Sequence, residues 1–472
     1  MRENDTDLEI PSPEAQLRSK TSYNFEDFWE MAPAQRSNVL LTGIAEVHAW
    51  HMLHNQAYRQ TMTARGAGSV NSPEEMALLL RPTSQTFKSY IDILGTPFPQ
   101  DRPREFVDWL SQQLSSDLPS QRLEQFRTRY PSLEALLKEI ERVYLDFGLE
   151  ILTSSGTSGR ASIIVRDQAG VNLTVESFYL SFQRYMGMRA DHRAIFIMPR
   201  DTRIAMVRMA SFSFRHVGLS EDRLHFTIPY PAYPDQVRIR SGRTYRGGWS
   251  GLLERRLWHP FMNWANDRLA TPRTVKLTIK LLGQAEDSHD KVLLFGGWVH
   301  LHAVARALLA EGRVMNLPSG SLIGTGGGFK ELYPFTPAQI RADLEKSIKL
   351  ENGLPAPMRD VYGMAEGNWA AMQCESGNYH LPPWIYAVVL DENDRFIEKP
   401  ESTGMLAFYD PVGGGDLFPA FFKTADRVRL VNGSRAYGPS LECLCGDSGA
   451  YLSEDSIQRV DLMDEAGCAA QI

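Results

Sequence analysis

The chain is poor in cysteine, in basic charge and in long apolar runs. Only four of its 472 residues are cysteine, which is too few for a disulfide framework and favours reduced thiols with a metal-binding or nucleophilic role. Acidic residues outnumber basic ones and the formal net charge is -7, which argues against a nucleic-acid-binding protein. No apolar run is long enough to span a bilayer, and residues 1–7 lack the apolar core of a signal peptide. These absences predict a cytoplasmic protein without nucleic-acid binding or a membrane span.

What is present indicates a globular protein with a large core, because 43% of the residues are hydrophobic and 23% are charged. Residues 1–145 carry apolar side chains mainly at helical spacing, with two helices expected between Phe25 and Met62 and further helices near 73–80, 104–114 and 132–144. We therefore expect a mostly helical N-terminal region over 1–145, packed on an α/β core over 146–430. A short C-terminal segment, 431–472, follows it.

The texture of the core region predicts an α/β fold with mixed sheets flanked by helices. Short apolar runs bounded by turns predict strands at 162–165, 194–198, 291–295 and 321–324, and amphipathic stretches at 299–309 and 337–349 predict helices between or after them. Beyond Trp384 the pattern changes to that of hairpins, with runs at 385–390, 404–409 and 427–430.

One hydroxyl- and glycine-rich run follows the apolar residues 147–151. It consists of Thr153, Ser154, Ser155, Gly156, Thr157, Ser158 and Gly159. Small residues let backbone N–H groups converge on an anion, and the hydroxyls add donors without bulk, so the run predicts a phosphate cradle. It is not a Walker-type loop, because Arg160 follows Gly159 where that pattern needs lysine. A surface loop rich in serine and glycine is the alternative.

Three further motifs follow in order. Gly324–Lys330, which includes Gly326, Gly327 and Gly328, comes directly after a predicted strand and would let a flat ring lie against the backbone. Asp360–Glu366 offers the aromatic face of Tyr362 for a base and the carboxylate of Glu366 for a divalent cation. Phe422–Asp426 places the Asp426 carboxylate at a strand end, where it can accept hydrogen bonds from two ribose hydroxyls.

In this order the motifs resemble those of the acyl-adenylate-forming superfamily of AMP-forming ligases. The resemblance is to the branch of the acyl-protein synthetases of bacterial luciferase fatty-acid reductase and the phenylacetate-CoA ligases, and it covers roughly residues 45–445. Leu79–Pro82 with Phe87 and Lys88, and the segment from Cys374 to Trp384, are also similar to that branch.

The resemblance implies that ATP and a carboxylic acid react to an acyl-adenylate and pyrophosphate, after which a thiol takes the acyl group. It implies that residues 153–159 hold the β- and γ-phosphates and that Gly326, Gly327 and Gly328 line the adenine. Tyr362 would stack on the adenine, Asp426 would hold the ribose and Glu366 would bind Mg²⁺. Catalysis would then be electrostatic, since the donors and Mg²⁺ stabilise the charge gathered in the transition state.

The acyl pocket is expected after a buried strand, where relatives place such residues. Its predicted members are Phe295, Gly296, Trp298, Phe329 and Trp369, with Met372 beside them. Each of these aromatic and apolar side chains can equally be plain core. The choice between an aliphatic and an aromatic acid does not follow from them.

The chain departs from the full-length members in its C-terminal part. Those members carry a small domain that brings a lysine to the reacting groups, but no lysine follows Lys423 here. Lys330, Lys423 or an arginine such as Arg427 or Arg429 is expected to take its role. Gly446-Asp447 also stands where relatives usually carry Gly-Arg at the hinge of that domain.

The short tail is a feature of the acyl-protein synthetase branch, whose members carry the acyl group covalently on a cysteine near the C-terminus. Cys468 is the corresponding thiol here, and a thiolate is a competent acceptor for a mixed anhydride. The alternatives are an idle terminal thiol, a thiol on a partner reductase, acyltransferase or carrier, and coenzyme A. A non-catalytic relative that binds a nucleotide or an acyl ligand is the rival of another class.

Two groups of side chains have metal-ligand types. Cys374, His380, Cys443 and Cys445 can close a tetrahedral zinc site, although buried thiols packed as small hydrophobes are the alternative. His48, His51 and His54 also have metal-like spacing, but their apolar neighbours fit an amphipathic helix, and we interpret them as structural.

Overall fold

The computed structural model describes residues 25–70, 75–154, 161–216, 218–328, 333–413 and 416–460. The α-helices are α1 Asp27–Glu30, α2 Pro33–His54, α3 Gln56–Ala64, α4 Thr83–Phe87, α5 Tyr90–Leu94, α6 Pro103–Gln112, α7 Leu133–Val143, α8 Gln168–Met186, α9 Ala205–His216, α10 Pro234–Ser241, α11 Gly248–Leu253, α12 His259–Ala265, α13 Thr271–Ser288, α14 Trp298–Ala310 and α15 Pro337–Ser347. Short 3-10 helices span Glu75–Leu79, Pro99–Asp101, Ser120–Gln125 and Leu145–Phe147, and π-helical turns span Glu254–Trp258 and Asn266–Ala270.

The strands begin within the helical region and continue to the end of the described chain. They are β1 Arg81–Pro82, β2 Glu150–Thr153, β3 Ile163–Arg166, β4 Arg193–Pro199, β5 Leu224–Ile228, β6 Val292–Gly296, β7 Met315–Leu317, β8 Leu322–Gly326, β9 Ile348–Leu350, β10 Met358–Gly363, β11 Ala370–Gln373, β12 Tyr379–His380, β13 Tyr386–Leu390, β14 Glu401–Asp410, β15 Ala420–Val431, β16 Tyr451–Leu452 and β17 Gln458–Arg459. The predicted strands and the helices of the N-terminal region are thus confirmed, except near 73–80, where the described residues Glu75–Leu79 form a 3-10 helix.

The local sequence explains why these helices form. Helix α7 begins at the N-cap Ser132, whose side chain accepts a hydrogen bond from the Ala135 N–H, and it buries one apolar stripe that includes Leu136, Leu137 and Ile140. Helix α6 begins with Pro103, whose fixed φ suits the first helical position. Capping and the apolar stripe together fix where each helix starts and which face it buries.

A large mixed sheet organises the molecule. Its strand order is β13-β14-β15-β16-β12-β11-β10-β8-β6-β4-β5, with β1 and β17 also paired to β15. The half from β10 to β5 is parallel, and the half from β10 to β13 is antiparallel. Separate two-stranded sheets are formed by β2 with β3 and by β7 with β9. The strand-by-strand change of direction explains why the sequence shows βα alternation first and hairpins later.

Two hydrophobic cores lie on opposite faces of the parallel half. In β4, Ile195 and Ile197 pack in the core formed with α13, α14 and α15, whereas Ala194 and Phe196 belong to the larger core on the other face. Leu293 and Leu294 of β6 divide in the same way. The alternation follows from the two-residue period of a strand, and it explains why these runs are apolar throughout.

One short strand of the N-terminal region and one of the C-terminal segment pair with the same strand, β15. β1 runs parallel to β15, with Arg81 opposite Phe422, and β17 runs antiparallel to it, with Arg459 opposite Asp426. The residues after Val431 therefore contribute two short strands to the sheet. None of the described helices is sufficiently long and apolar to cross a bilayer.

Candidate active site

Parallel strands bring two of the sequence motifs to one edge of the sheet. β8 and β10 are neighbours, and Gly326 lies opposite Val361 in their register. The residues that follow Gly326 and Gly363 therefore leave the sheet on the same side, at the carboxyl ends of the strands. Open α/β sheets bind their ligands at this edge.

A hydrogen bond joins the hydroxyl-rich motif to the acidic one. Ser162 donates its hydroxyl to the Oε1 atom of Glu366 at 2.5 Å, and both residues are buried. The Ser162 N–H donates to the Ser154 Oγ at 2.9 Å, and the Ser154 N–H donates to the Ser162 carbonyl at 3.1 Å. Ser154, the hydrogen-bond partner of Ser162, and its neighbour Thr153 therefore lie close to Glu366. The two motifs are nevertheless about 200 positions apart in the sequence.

Arg166 fixes the turn that carries Glu366. Its Nη2 lies 3.4 Å from the carbonyl oxygens of both Ala365 and Gly367, and its guanidinium lies 5.4 Å from the centre of the Phe418 ring. Burial lowers the pKa of Arg166 to about 10, so the side chain stays charged at neutral pH. A buried cation next to this turn favours a negative charge at its centre.

Tyr362 and Asp426 form the next pair. The Tyr362 hydroxyl donates to the Asp426 Oδ2 at 2.7 Å, which links β10 to β15. Burial, and then the negative charge of Asp426, raises the pKa of Tyr362 well above its usual range, so the phenol remains a donor at neutral pH. In the pairing of β15 with β17, Asp426 lies opposite Arg459, a residue of the C-terminal segment. Described residues in or next to all four motifs are therefore linked through β10 and the turn that follows it.

The glycines in and directly after β8 have different surroundings. A Cβ at Gly324 would lie 2.3 Å from the Cδ2 atom of Phe295, so the ring of Phe295 occupies the space of the missing side chain. At Gly326 the nearest atoms are at 3.5 Å, which is ordinary contact. Gly327 and Gly328 have φ of +80° and +70°, a backbone region that favours glycine, and a Cβ there would meet nothing within 4 Å. On this side of the turn the described residues leave room for a planar ligand.

Solved structures share this architecture. Over 92% of this chain and 70% of that chain, the fold matches 2-hydroxyisobutyryl-CoA ligase in its postadenylation state with 2-HIB-AMP, at 13% identity and a TM-score of 0.54. The same ligase with 2-HIB-AMP and CoA in the thioesterification state matches over the same shares, at 13% identity and a TM-score of 0.50. At this identity the likeness establishes the fold.

A family comparison adds the branch. Residues 265–472 match the family described as "Acyl-protein synthetase, LuxE". The match covers the C-terminal part of the chain, and over 92% of its length the chain shares the fold of an AMP-forming acyl-CoA ligase. The predicted α/β fold is thereby confirmed, and the match over residues 265–472 supports the predicted superfamily and the class of AMP-forming acyl-activating ligase. A comparison with curated proteins gave no significant match.

The structure separates the predicted acyl-pocket residues. Phe295 and Trp369 lie in the larger core, where Trp369 packs edge-on against Phe408 with ring centres 5.2 Å apart. Trp298 lies in the other core, under the guanidinium of Arg341. Gly296 packs against Ile197, whose Cβ would be 3.0 Å from a Cβ at this position. Trp298 is therefore not brought together with Phe295 and Trp369.

Several predicted residues lie outside the described part of the chain. They are Ser155, Gly156, Thr157, Ser158, Gly159, Phe329, Lys330 and Cys468. Of the candidates for the role of the missing lysine, Lys423 forms an ion pair with Asp394, and Arg429 pairs with Glu401. Both are engaged on the protein surface.

The sequence analysis missed four residues of the site. Ser162 directly precedes β3 and Arg166 is the last residue of β3, just after the hydroxyl-rich run, and Asp410 ends β14. Burial raises the pKa of Asp410 to about 6, although the N–H groups of Gly413 and Val412 stabilise its ionised form. The fourth residue is Arg459. A charged residue directly after an apolar run was the signal that could have identified Arg166 and Asp410.

The two groups with metal-ligand types have different surroundings. The ligand atoms of Cys374, His380, Cys443 and Cys445 all lie within 4.8 Å of one another. His48 and His51 instead have protein partners. The Nδ1 of His48 lies 3.0 Å from the Tyr58 hydroxyl, and the Nδ1 of His51 lies 2.5 Å from the Ser115 Oγ. These contacts support the structural interpretation of the histidines of α2.

Proposed function

We propose that the chain activates a carboxylic acid with ATP, releases pyrophosphate, and transfers the acyl group from the acyl-adenylate to a thiol. The observation that carries the proposal is the Ser162–Glu366 hydrogen bond, which joins the flank of the predicted phosphate loop to the predicted Mg²⁺ ligand. The Tyr362–Asp426 hydrogen bond joins the predicted adenine and ribose contacts in the same region.

Glu366 fits a divalent cation in type and position. It is a buried carboxylate in a turn fixed by the Arg166 cation, and hard oxygen ligands of this kind suit Mg²⁺. Bound Mg²⁺ would neutralise negative charge on the phosphates. Ser162 holds one oxygen of Glu366 and thereby orients the carboxylate, while Thr153 and Ser154 start the loop proposed for the phosphates.

Tyr362 and Asp426 are proposed to hold the nucleoside. The ring of Tyr362 offers a face for the adenine beside the open turn at Gly327 and Gly328, and its hydroxyl orients the carboxylate of Asp426. Asp426 would accept hydrogen bonds from the ribose hydroxyls. This arrangement positions the α-phosphate rather than reacting with it, which is the main requirement of an adenylation step.

The chemistry balances without a general base in the first step. The carboxylate of the acid attacks the α-phosphorus of ATP, a carboxyl O–P bond forms, and the bond to the β-phosphate oxygen breaks with pyrophosphate leaving. The acid is already ionised at pH 7. In the second step a thiolate attacks the acyl carbon, a C–S bond forms and AMP leaves.

We propose that Arg459 supplies the cation that the missing C-terminal lysine supplies elsewhere. It is the basic residue that the C-terminal segment places opposite Asp426, in a chain with no lysine after Lys423. Arg459→Lys should retain most of the adenylation rate, and Arg459→Gln should lose about tenfold or more. Arg395→Gln, at an exposed residue paired with Asp391, is the control and should leave the rate unchanged. Equal rates for Arg459→Gln and wild type would contradict this role.

We propose a thiol as the acyl acceptor. Cys468 is the thiol of this chain that matches the acyl-protein synthetase branch, and a partner reductase, acyltransferase or carrier would then take the acyl group. Coenzyme A is the second candidate, and its support is that the matching 2-hydroxyisobutyryl-CoA ligase was solved with CoA. In either case the thiolate is the reacting form.

ATP–pyrophosphate exchange with a panel of aliphatic and aromatic acids tests the proposal. Exchange that needs both an acid and Glu366 supports adenylation, and an acyl mass on the protein that disappears in Cys468→Ser supports the acyl-protein synthetase reaction. Acyl-CoA formation with no protein adduct supports the CoA ligase instead. ATP binding without exchange for any acid would favour the non-catalytic rival and overturn the proposal.

A further inference from the structure

We propose that Cys374, His380, Cys443 and Cys445 bind one zinc ion in a closed, structural site that holds the C-terminal segment on the sheet. The site lies apart from the proposed nucleotide contacts and does not depend on them. Three thiolates and one imidazole are a common ligand set of structural zinc, and four protein ligands leave no position for a substrate.

The distances fit a tetrahedron before any ion is added. The sulfur atoms of Cys374 and Cys443 are 3.9 Å apart, and the Cys445 sulfur is 3.3 Å from the Nε2 of His380. Zinc–sulfur distances of about 2.3 Å predict sulfur–sulfur edges of about 3.8 Å in a tetrahedral site. A disulfide would need its sulfurs about 2.05 Å apart, so the geometry is that of ligands around a common centre.

Two tight turns present the cysteines. The Gly377 N–H donates to the Cys374 carbonyl at 3.1 Å, and the Gly446 N–H donates to the Cys443 carbonyl at 2.8 Å. Both glycines have φ of +86°, which other residues adopt with strain. The backbone is thus shaped so that each turn directs sulfur atoms inward, as the knuckles of zinc sites do.

The histidine is fixed in orientation by neighbours outside the ligand set. The ring of Tyr185 stacks on that of His380, with centres 4.9 Å apart and planes at 17°. The Tyr185 hydroxyl donates to Asp447 at 3.0 Å, and Asp447 lies 3.9 Å from the Nδ1 of His380. A carboxylate behind the second ring nitrogen is the usual support of a metal-bound histidine.

The ligands come from two distant parts of the sequence, so the ion would crosslink them. Cys374 and His380 flank the turn between β11 and β12, whereas Cys443 and Cys445 precede β16. Beyond them, β16 pairs with β12 and β17 places Arg459 opposite Asp426. In addition, Arg184 and Tyr185 bind Asp447, the residue at the expected hinge position. The site would therefore hold this segment in place rather than let it swing.

Metal analysis of the full chain tests the proposal, after purification without metal-chelate resin or chelator. Wild type should contain about one zinc ion per chain, and Cys374→Ser and Cys445→Ser should each lose most of it. Cys468→Ser is the matched control, since Cys468 is not one of the four proposed ligands, and it should retain the zinc. Wild type without bound zinc after incubation with zinc salt and dialysis, or equal zinc in all variants, would overturn the site.

A second measurement on the wild type avoids dependence on variants that fail to fold. A thiol reagent should modify the three cluster cysteines slowly in the native protein and at least tenfold faster after zinc is removed by a chelator. Hydrogen exchange at residues 451–460 should rise on the same treatment. Unchanged exchange and thiol reactivity would contradict the structural role, as would an intact mass lower by two hydrogens that a reductant restores. Since neither readout uses ATP or an acid, their failure is distinguishable from failure of the proposed function.

Discussion

The candidate active site and the cysteine–histidine cluster share the strands around β10 and β12 but differ in how their polar atoms are arranged. In the cysteine–histidine cluster four ligand atoms converge within 4.8 Å. In the active site Glu366 and Asp426 are each held by one hydroxyl, from Ser162 and Tyr362. A convergent donor set suits an ion that stays, whereas separated carboxylates with orienting donors suit a substrate that enters and leaves.

The largest effect expected in the candidate active site is that of Glu366→Gln. Loss of the carboxylate proposed for Mg²⁺ should lower ATP–pyrophosphate exchange by a hundredfold to a thousandfold, about 2.7–4 kcal/mol in the barrier. Zinc content and melting temperature should stay near those of wild type, because the variant leaves the other cluster untouched. Glu392→Gln, at an exposed carboxylate, is the control. Exchange at the wild-type rate in Glu366→Gln would show that the carboxylate has no catalytic role.

The second prediction concerns pH and the buried Asp410. Its folded pKa of about 6 exceeds the value of about 3.9 in an unfolded chain, so the folded state binds more protons between these values. This group's contribution to the free energy of unfolding therefore falls as the pH rises from about 4 to 6, by about 1.4 kcal/mol for each unit of pKa difference. Asp410→Asn removes this contribution.

Urea unfolding at pH 4.5 and pH 7 measures this effect. The stability of wild type relative to Asp410→Asn should be more favourable at the lower pH, since only wild type carries the ionisation. The backbone donors of Val412 and Gly413 can still bond to the amide oxygen of asparagine. The same difference at both pH values would mean that the pKa of Asp410 is not raised.

The third prediction tests the packing of β8 against Phe295, beneath the candidate active site. A methyl group at Gly324 would overlap the ring of Phe295, so Gly324→Ala should lower the free energy of unfolding by about 1–3 kcal/mol. Gly68→Ala is the control, because a Cβ at that exposed glycine meets nothing within 4 Å. Denaturant unfolding of both variants measures the difference. Equal stability of the two would show that Phe295 can move aside without cost.

The smallest effect is expected at the nucleoside contact. Asp426→Asn should raise the KM for ATP about tenfold, about 1.4 kcal/mol, because it removes a charge-assisted acceptor. Tyr362→Phe should have a smaller effect, since it keeps the ring and loses only the hydroxyl that orients Asp426. Asp267→Asn, at an exposed residue, should leave the KM unchanged. A KM for ATP that is unchanged in Asp426→Asn would remove Asp426 from the nucleotide site.

Helices and strands with a clear period could be predicted because their signal is local. Helix α7 has an N-cap serine and an apolar stripe, and β4 is an apolar run. Each element can therefore be recognised from about ten consecutive residues. The four motifs were equally legible, since each is a short run of special residues. Trp298 shows the limit, because an apolar side chain after a strand does not reveal which of two cores receives it.

The sequence by itself determined the alternation of strands and helices, the four motifs in their order, and the residue types of the cysteine–histidine cluster. All of these depend on neighbours along the chain. Only the tertiary structure decided that Ser162 meets Glu366, that Arg459 lies opposite Asp426, and that two pairs of ligands converge. The physical reason is that these contacts join residues separated by 33 to 204 positions, and the register of the sheet, which many side chains set together, brings them into contact.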